Sequence, residues 1–135
     1  MFTAFLGLGL RLRGWTVERE AIQGAGRTDL KLKRSGGIAV VETKHWKRSD
    51  YREVQRQVEG YWSGEVGAAA VVMITDTEGS SFKAEYRREC LSRPDLTIAE
   101  ELAPPPLQGR FIVESTTAQG FSARVDHLLL RLPRA

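Results

Sequence analysis

The chain has 135 residues, which predicts a single domain with one hydrophobic core. Hydrophobic residues make up 41% and charged residues 27% of the chain, the balance of a soluble globular protein, and the single cysteine, Cys90, excludes an internal disulfide framework. Lys and Arg number 20 against 17 Asp and Glu, so the formal charge of +3 permits a nucleic-acid partner without indicating one.

The first predicted elements are a helix and three strands. Residues 2–13 are apolar enough for a buried helix, and they lack the basic start of a signal peptide and the length of a membrane span. We therefore expect a cytoplasmic protein with no membrane segment. Apolar alternation predicts strands over residues 15–22, 27–33 and 38–46. The last of these is almost wholly apolar in its first half, which is typical of a central strand covered on both faces.

The remaining elements alternate between helix and strand. Apolar residues at helical spacing predict a helix over 51–62, and the apolar run that follows predicts a buried strand over 68–74, parallel to the strand before the helix. A further helix (80–91) and strands over 96–102, 110–114 and 122–132 are expected. The order predicts an α/β fold with a central mixed sheet in one domain, 1–135, with a core over about 1–76 and a C-terminal β extension over 77–135.

Two carboxylates and a lysine are expected to meet in the hairpin around Ser35-Gly36. In a tight hairpin centred there, the numbers of paired residues sum to 71, so Asp29 lies opposite Glu42 and shares its face. Lys44 follows Glu42 by two residues and projects from the same face. Opposed like charges destabilise a sheet unless a cation lies between them, and Mg²⁺ or Mn²⁺ prefers such oxygen ligands.

This arrangement is suited to the hydrolysis of phosphodiester bonds. A divalent cation held by two carboxylates activates water and neutralises the charge that develops on the phosphate. Lys44 is then placed to orient or deprotonate that water, or to stabilise the transition state; the sequence leaves these roles open. The sequence thus indicates a metal-dependent nuclease.

These residues resemble the PD-(D/E)XK nuclease superfamily. The match consists of Gly26-Arg27-Thr28-Asp29 followed by Val40-Val41-Glu42-Thr43-Lys44, with Thr28 standing where the motif has proline. On the next predicted helix, Gln57-Val58-Glu59-Gly60-Tyr61 resembles the QxxxY motif of the RecB-type members. The resemblance covers about residues 1–76 and implies a restriction-endonuclease-like fold with an αβββαβ core.

The resemblance also implies a role for each matched residue. Asp29 and Glu42 would bind Mg²⁺ or Mn²⁺ together with the carbonyl of Thr43, and Lys44 would serve catalysis. Gln57 and Tyr61 would support the site or hold the substrate. We expect a deoxyribonuclease, with endonucleolytic cutting favoured, RNA not excluded and a homodimer possible because cutting a duplex requires two sites.

Several alternatives remain open at this stage. The charged set could be a surface ion-pair ladder, and Glu20 could be a third metal ligand or an ordinary solvated glutamate. Trp46, Lys47 and Arg48 could contact base and phosphate or simply close the strand end. The whole domain could instead be a non-catalytic module that binds nucleic acid or protein, or a nuclease toxin domain.

Overall fold

The structure, a computed structural model, describes residues 16–23, 26–34, 37–48, 50–62, 66–76 and 81–132. The strands are β1 (Thr16–Gln23), β2 (Gly26–Arg34), β3 (Gly37–His45), β4 (Val66–Thr75), β5 (Thr97–Leu102), β6 (Gly109–Thr116) and β7 (Ser122–Arg131). The helices are α1 (Val54–Gly60), which a 3₁₀ turn (Tyr51–Glu53) precedes, and α2 (Phe82–Cys90). The helix expected over residues 2–13 lies outside the described residues.

The seven described strands form one mixed sheet in the order β1-β2-β3-β4-β7-β6-β5. The pairs β3–β4 and β4–β7 are parallel, and the other four pairs are antiparallel. The parallel pairing of β3 with β4 was expected, because a helix joins these strands and carries the chain back across the sheet. The predicted α/β class with a mixed sheet is confirmed.

The three C-terminal strands complete this sheet and do not form a separate layer. Strand β7 pairs with β4 from Ala69 to Thr75, so the chain beyond residue 76 lies against the middle of the sheet. A single hydrophobic cluster contains Val71 from β4, Phe111 from β6 and Val125 from β7. The region predicted as a C-terminal β extension is therefore part of the same core.

Apolar side chains are buried on both faces of the sheet. Helices α1 and α2 pack on one face, here called the helix face, where Val54 and Val58 are fully buried. The opposite face carries a second cluster that includes Leu30, Val41 and Val72. Side chains alternate along β3, so Glu42 and Lys44 project toward the helix face, as Val40 does.

The two described helices are short. Helix α1 has 7 residues and α2 has 9. Within the described part of the chain, no helix is long and apolar enough to cross a membrane.

Candidate active site

The register of the β2–β3 hairpin is the first element of the candidate site. The paired residues run from Leu30 opposite Val41 to Arg34 opposite Gly37, and the numbers in each pair sum to 71 as predicted. In the same register the next position along β2, residue 29, lies opposite residue 42. The side chain of Asp29 is outside the described part of the structure, so its contact with Glu42 stays a prediction.

Strand β1 adds a third position to the same row of the sheet. Arg19 pairs with Leu30 and Ala21 pairs with Thr28, so position 20 lies opposite position 29 between these two pairs. Backbone positions 20, 29 and 42 are therefore neighbours across three strands. The side chain of Glu20 is also undescribed, and its role as an extra ligand stays a prediction.

Glu42 is a buried carboxylate that is held by Tyr61, the residue that caps the C-terminal end of helix α1. Only 5% of Glu42 is exposed, and the hydroxyl of Tyr61 donates a hydrogen bond of 2.8 Å to its Oε2. A carboxylate is costly to bury unless it accepts hydrogen bonds, and a bond to a charged acceptor is stronger than a neutral one. The ExK and QxxxY motifs, which are separate in the sequence, thus meet on the helix face.

Gln57 is the first residue of the QxxxY motif, and it lies one helical turn before Tyr61. The side-chain oxygen of Gln57 is buried and accepts no hydrogen bond from any described residue. Such an acceptor costs about 1–3 kcal/mol when it is left unsatisfied. A buried polar group without a partner is rare in native proteins and needs a physical explanation. A hydrogen bond from a water molecule or from a ligand would provide one for the Gln57 oxygen.

The described residues provide some, but not all, of the ligands that a hard divalent cation such as Mg²⁺ needs. Glu42 offers a restrained, buried carboxylate, and Lys44 follows it on the same face of β3. Among the described side chains, no group of three or more His, Cys, Asp or Glu residues is placed to hold a metal ion. The ligand set expected from the sequence contains two carboxylates, and the side chain of one of them, Asp29, is outside the described part of the structure. The carbonyl of Thr43 as a further ligand stays a prediction.

The connection from β3 to α1 carries two exposed basic residues, Lys47 and Arg48. Lys47 adopts a left-handed backbone conformation (φ 59°), which is unusual for a residue other than glycine and is enriched at functional sites. The indole of Trp46 instead packs against Tyr51 at 5.0 Å and Phe82 at 5.1 Å between ring centroids. The side chains of Lys47 and Arg48 are therefore accessible to a phosphate, whereas the half-buried indole of Trp46 packs against the core.

A buried hydrogen-bond network on the other flank of α1 was not expected from the sequence. The Tyr86 hydroxyl lies 2.6 Å from His127 Nδ1, and His127 Nε2 lies 2.6 Å from the side-chain oxygen of Gln55. Burial lowers the pKa of His127 to about 3, so the ring is neutral. These partners are 41 and 72 residues apart in the chain, so no local pattern could have indicated the network.

The network continues from Gln55 to the protein surface. The amide nitrogen of Gln55 donates to Glu59 at 3.1 Å, and Glu59 Oε2 also accepts from Arg93 and Ser115, each at 2.6 Å. Arg93 in turn pairs with Asp95 at 2.6 Å, beside a cavity of about 500 Å³. The chain of hydrogen bonds thus begins at the buried Tyr86 and ends at the charged pair of Glu59 and Arg93 near the surface.

Comparison of this chain with protein-family models, with curated proteins and with solved structures found no match in any of the three. The resemblance to PD-(D/E)XK nucleases therefore depends on the motif residues and on the geometry described above.

Proposed function

We propose that this protein is a metal-dependent nuclease with a restriction-endonuclease-like fold that hydrolyses phosphodiester bonds in DNA. Asp29 and Glu42 would hold Mg²⁺ or Mn²⁺, and Lys44 would assist the chemistry. The observation that carries the proposal is the 2.8 Å hydrogen bond from Tyr61 to the buried Glu42. It joins two motifs that occur separately in the sequence and that the proposed function requires in one place.

The chain's own residues have distinct parts in this chemistry. A bound Mg²⁺ supplies a water of lowered pKa and a positive charge for the phosphate oxygens. Tyr61 restrains the Glu42 carboxylate, so that it offers its charge in a fixed position. Lys44 is a cation on the same face and stabilises negative charge that develops on the phosphate, or orients the attacking water. Gln57 has an acceptor ready for a donor from water or substrate.

Burial of Glu42 argues against the simplest alternative, a surface ion-pair ladder. Such ladders are solvated, whereas Glu42 is only 5% exposed and bonds to a helix residue. A binding module without catalysis remains the main rival, because exposed Lys47 and Arg48 would suit a polyanion in either case. A nuclease and a binding module differ in whether the protein cleaves the nucleic acid that it binds.

Nicking of supercoiled plasmid with and without Mg²⁺ separates the two functions. We expect Mg²⁺-dependent nicking by the native chain and its loss in Asp29→Ala, Glu42→Ala and Lys44→Ala. Lys33→Ala is the matched control, because Lys33 is an exposed lysine in the neighbouring strand that forms an ion pair with Glu18 at 3.2 Å. Nicking that persists in Glu42→Ala would show the site to be wrong, and DNA binding without nicking would favour the binding module.

The substrate and the assembly are tested separately. We propose DNA as the substrate and expect a panel of single-stranded, duplex, branched and RNA molecules to show preferred cutting of DNA at internal positions. Faster cutting of RNA than of DNA would mean that RNA is the substrate, while the proposed metal-dependent hydrolysis would stand. A homodimer stays a prediction, and a strict monomer by equilibrium sedimentation at high concentration would contradict it.

A further inference from the structure

Helix α1 is too short to fix its own orientation. It has 7 residues, and no side chain caps its first turn. Isolated helices of this length do not form in water, so tertiary contacts must hold it. Val54 and Val58 anchor it in the core and set which side of the helix faces the sheet. Hydrogen bonds are directional, so they can fix the remaining rotation of α1 about its axis more closely than apolar contacts do.

Those hydrogen bonds lie on the flank opposite the candidate site. Each helical residue turns the chain by about 100°, so Gln55 and Glu59 share one flank while Gln57 and Tyr61 share another. Gln55 uses both ends of its amide on this flank, one toward His127 and one toward Glu59. A rotation of α1 that broke these bonds would also carry Tyr61 away from Glu42.

The charged end of the network fixes the direction of its hydrogen bonds. Arg93 can only donate, and the carboxylate of Glu59 that faces it accepts, so the amide nitrogen of Gln55 must point toward Glu59. The amide oxygen of Gln55 then faces His127 and accepts from Nε2–H.

The tautomer of His127 follows from that arrangement. With the proton on Nε2, the neutral ring has a bare Nδ1, which accepts the hydrogen bond from the Tyr86 hydroxyl at 2.6 Å. The reversed arrangement would set the amide oxygen of Gln55 against the carboxylate of Glu59, which are two acceptors with no proton between them. The network therefore holds Gln55 in one amide orientation, which makes it a specific anchor for the helix.

We propose that Gln55 is a positioning residue, which fixes the rotation of α1 and thereby places the Tyr61 hydroxyl against Glu42. Its relevance to cleavage depends on the proposed nuclease function, whereas the placement of Tyr61 does not. Gln55 would act through Tyr61, and neither residue would contact the reacting atoms.

Fluorine NMR of protein labelled with 3-fluorotyrosine tests this placement directly. The chain has three tyrosines, so three signals are expected, and the signal lost in Tyr61→Phe identifies Tyr61. Gln55→Met keeps the side-chain length and removes both polar ends. We expect it to shift the Tyr61 signal and to lower kcat for plasmid nicking about tenfold with little change in KM.

Arg110→Met is the matched control. It removes the 2.6 Å ion pair of Arg110 with Asp126, in strands β6 and β7, without touching α1. We expect no shift of the Tyr61 signal and unchanged nicking. Should Gln55→Met fail to fold, Ser115→Ala removes one donor from Glu59 and should produce a smaller shift of the Tyr61 signal in the same direction.

The double variant Gln55→Met with Tyr61→Phe separates positioning from a general loss of stability. Both changes act through one hydrogen bond, so we expect no further fall in kcat beyond that of Tyr61→Phe. A Tyr61 signal that is unchanged in Gln55→Met overturns the positioning role whatever the activity. If the native chain does not cleave DNA, the proposed function fails and the fluorine signals still decide the placement of Tyr61.

Discussion

The two flanks of helix α1 differ in how completely their polar groups are paired. On one flank, no buried side-chain nitrogen or oxygen of Gln55 or Glu59 lacks a partner in the described structure. On the other, Tyr61 bonds to Glu42 while the oxygen of Gln57 is buried and accepts nothing from the described residues. The folded chain therefore satisfies the buried polar groups of Gln55 and Glu59 by itself, whereas it leaves the oxygen of Gln57 without a donor among the described residues.

If Gln57 and Tyr61 belong to the proposed active site, a structural polar cluster and a functional one differ here in whether their buried polar groups are paired. Gln55 and Glu59 are spaced like Gln57 and Tyr61, so spacing on the helix does not separate the two pairs. A fully satisfied network rigidifies a core, whereas an unsatisfied buried acceptor carries a free-energy cost that a water or a ligand can relieve. Substitutions on one flank of α1 can therefore be compared with matched substitutions on the other.

The largest expected effect is on activity and comes from Glu42→Gln. Glutamine keeps an oxygen that can accept from Tyr61 but loses the charge that would bind Mg²⁺. We expect plasmid nicking to fall at least about 10³-fold, while the free energy of unfolding changes by less than about 1 kcal/mol. Parallel nicking assays and urea denaturation measure both quantities. Activity within tenfold of the native protein would show that the Glu42 charge is not needed.

The next largest effect is on stability and comes from His127→Leu. The substitution leaves the Gln55 oxygen and the Tyr86 hydroxyl without their partner in the core. We expect the free energy of unfolding to fall by about 3 kcal/mol, and Tyr86→Phe, which leaves only the His127 nitrogen unpaired, to cost less. Urea denaturation of both variants checks this. Equal losses would mean that the Gln55 bond contributes nothing.

The same histidine makes stability depend on pH. Burial lowers the pKa of His127 to about 3 in the folded state, while the unfolded chain binds a proton near pH 6.5. The unfolded state therefore holds more protons between these values, and His127 lowers stability as the pH falls from about 6.5 toward 3. The slope approaches about 1.4 kcal/mol per pH unit.

His127→Gln provides the comparison for this pH dependence. A glutamine at position 127 can donate to Gln55 and does not titrate. The free energy of unfolding of this variant should therefore fall less steeply than that of the native protein as the pH is lowered from 6.5 to 4. Urea midpoints measured at several pH values give both slopes. Identical slopes would show that His127 takes up its proton without unfolding.

The smallest effect is expected for Gln57→Met on the unsatisfied flank. Removing a buried acceptor that has no partner among the described residues should leave the free energy of unfolding unchanged or raise it by up to about 1 kcal/mol. Gln55→Met, a chemically identical change two residues earlier, should lower it. A clear loss of stability in Gln57→Met would mean that this oxygen is satisfied in the folded protein without a ligand.

Much of the fold could be predicted from local patterns. Every described strand and helix was expected within a few residues, because alternation and helical spacing are set by the sequence itself. The hairpin register followed from one turn, since a two-residue connection fixes every later pair. The position of β7 beside β4 could not be predicted, because local patterns do not choose between sheet neighbours.

The sequence by itself determined that strand positions 29 and 42 lie opposite each other and how the charged residues are spaced along β3, whereas the place of position 20 beside them came from the pairing of β1 with β2. Backbone geometry repeats every two residues in a strand, so the first two relations do not depend on the rest of the molecule. Only the tertiary structure showed the hydrogen bond from Tyr61 to Glu42 and the network of His127, Gln55 and Arg93 on the opposite flank of α1. Their hydrogen bonds join distant segments, and no local physical rule brings such residues together.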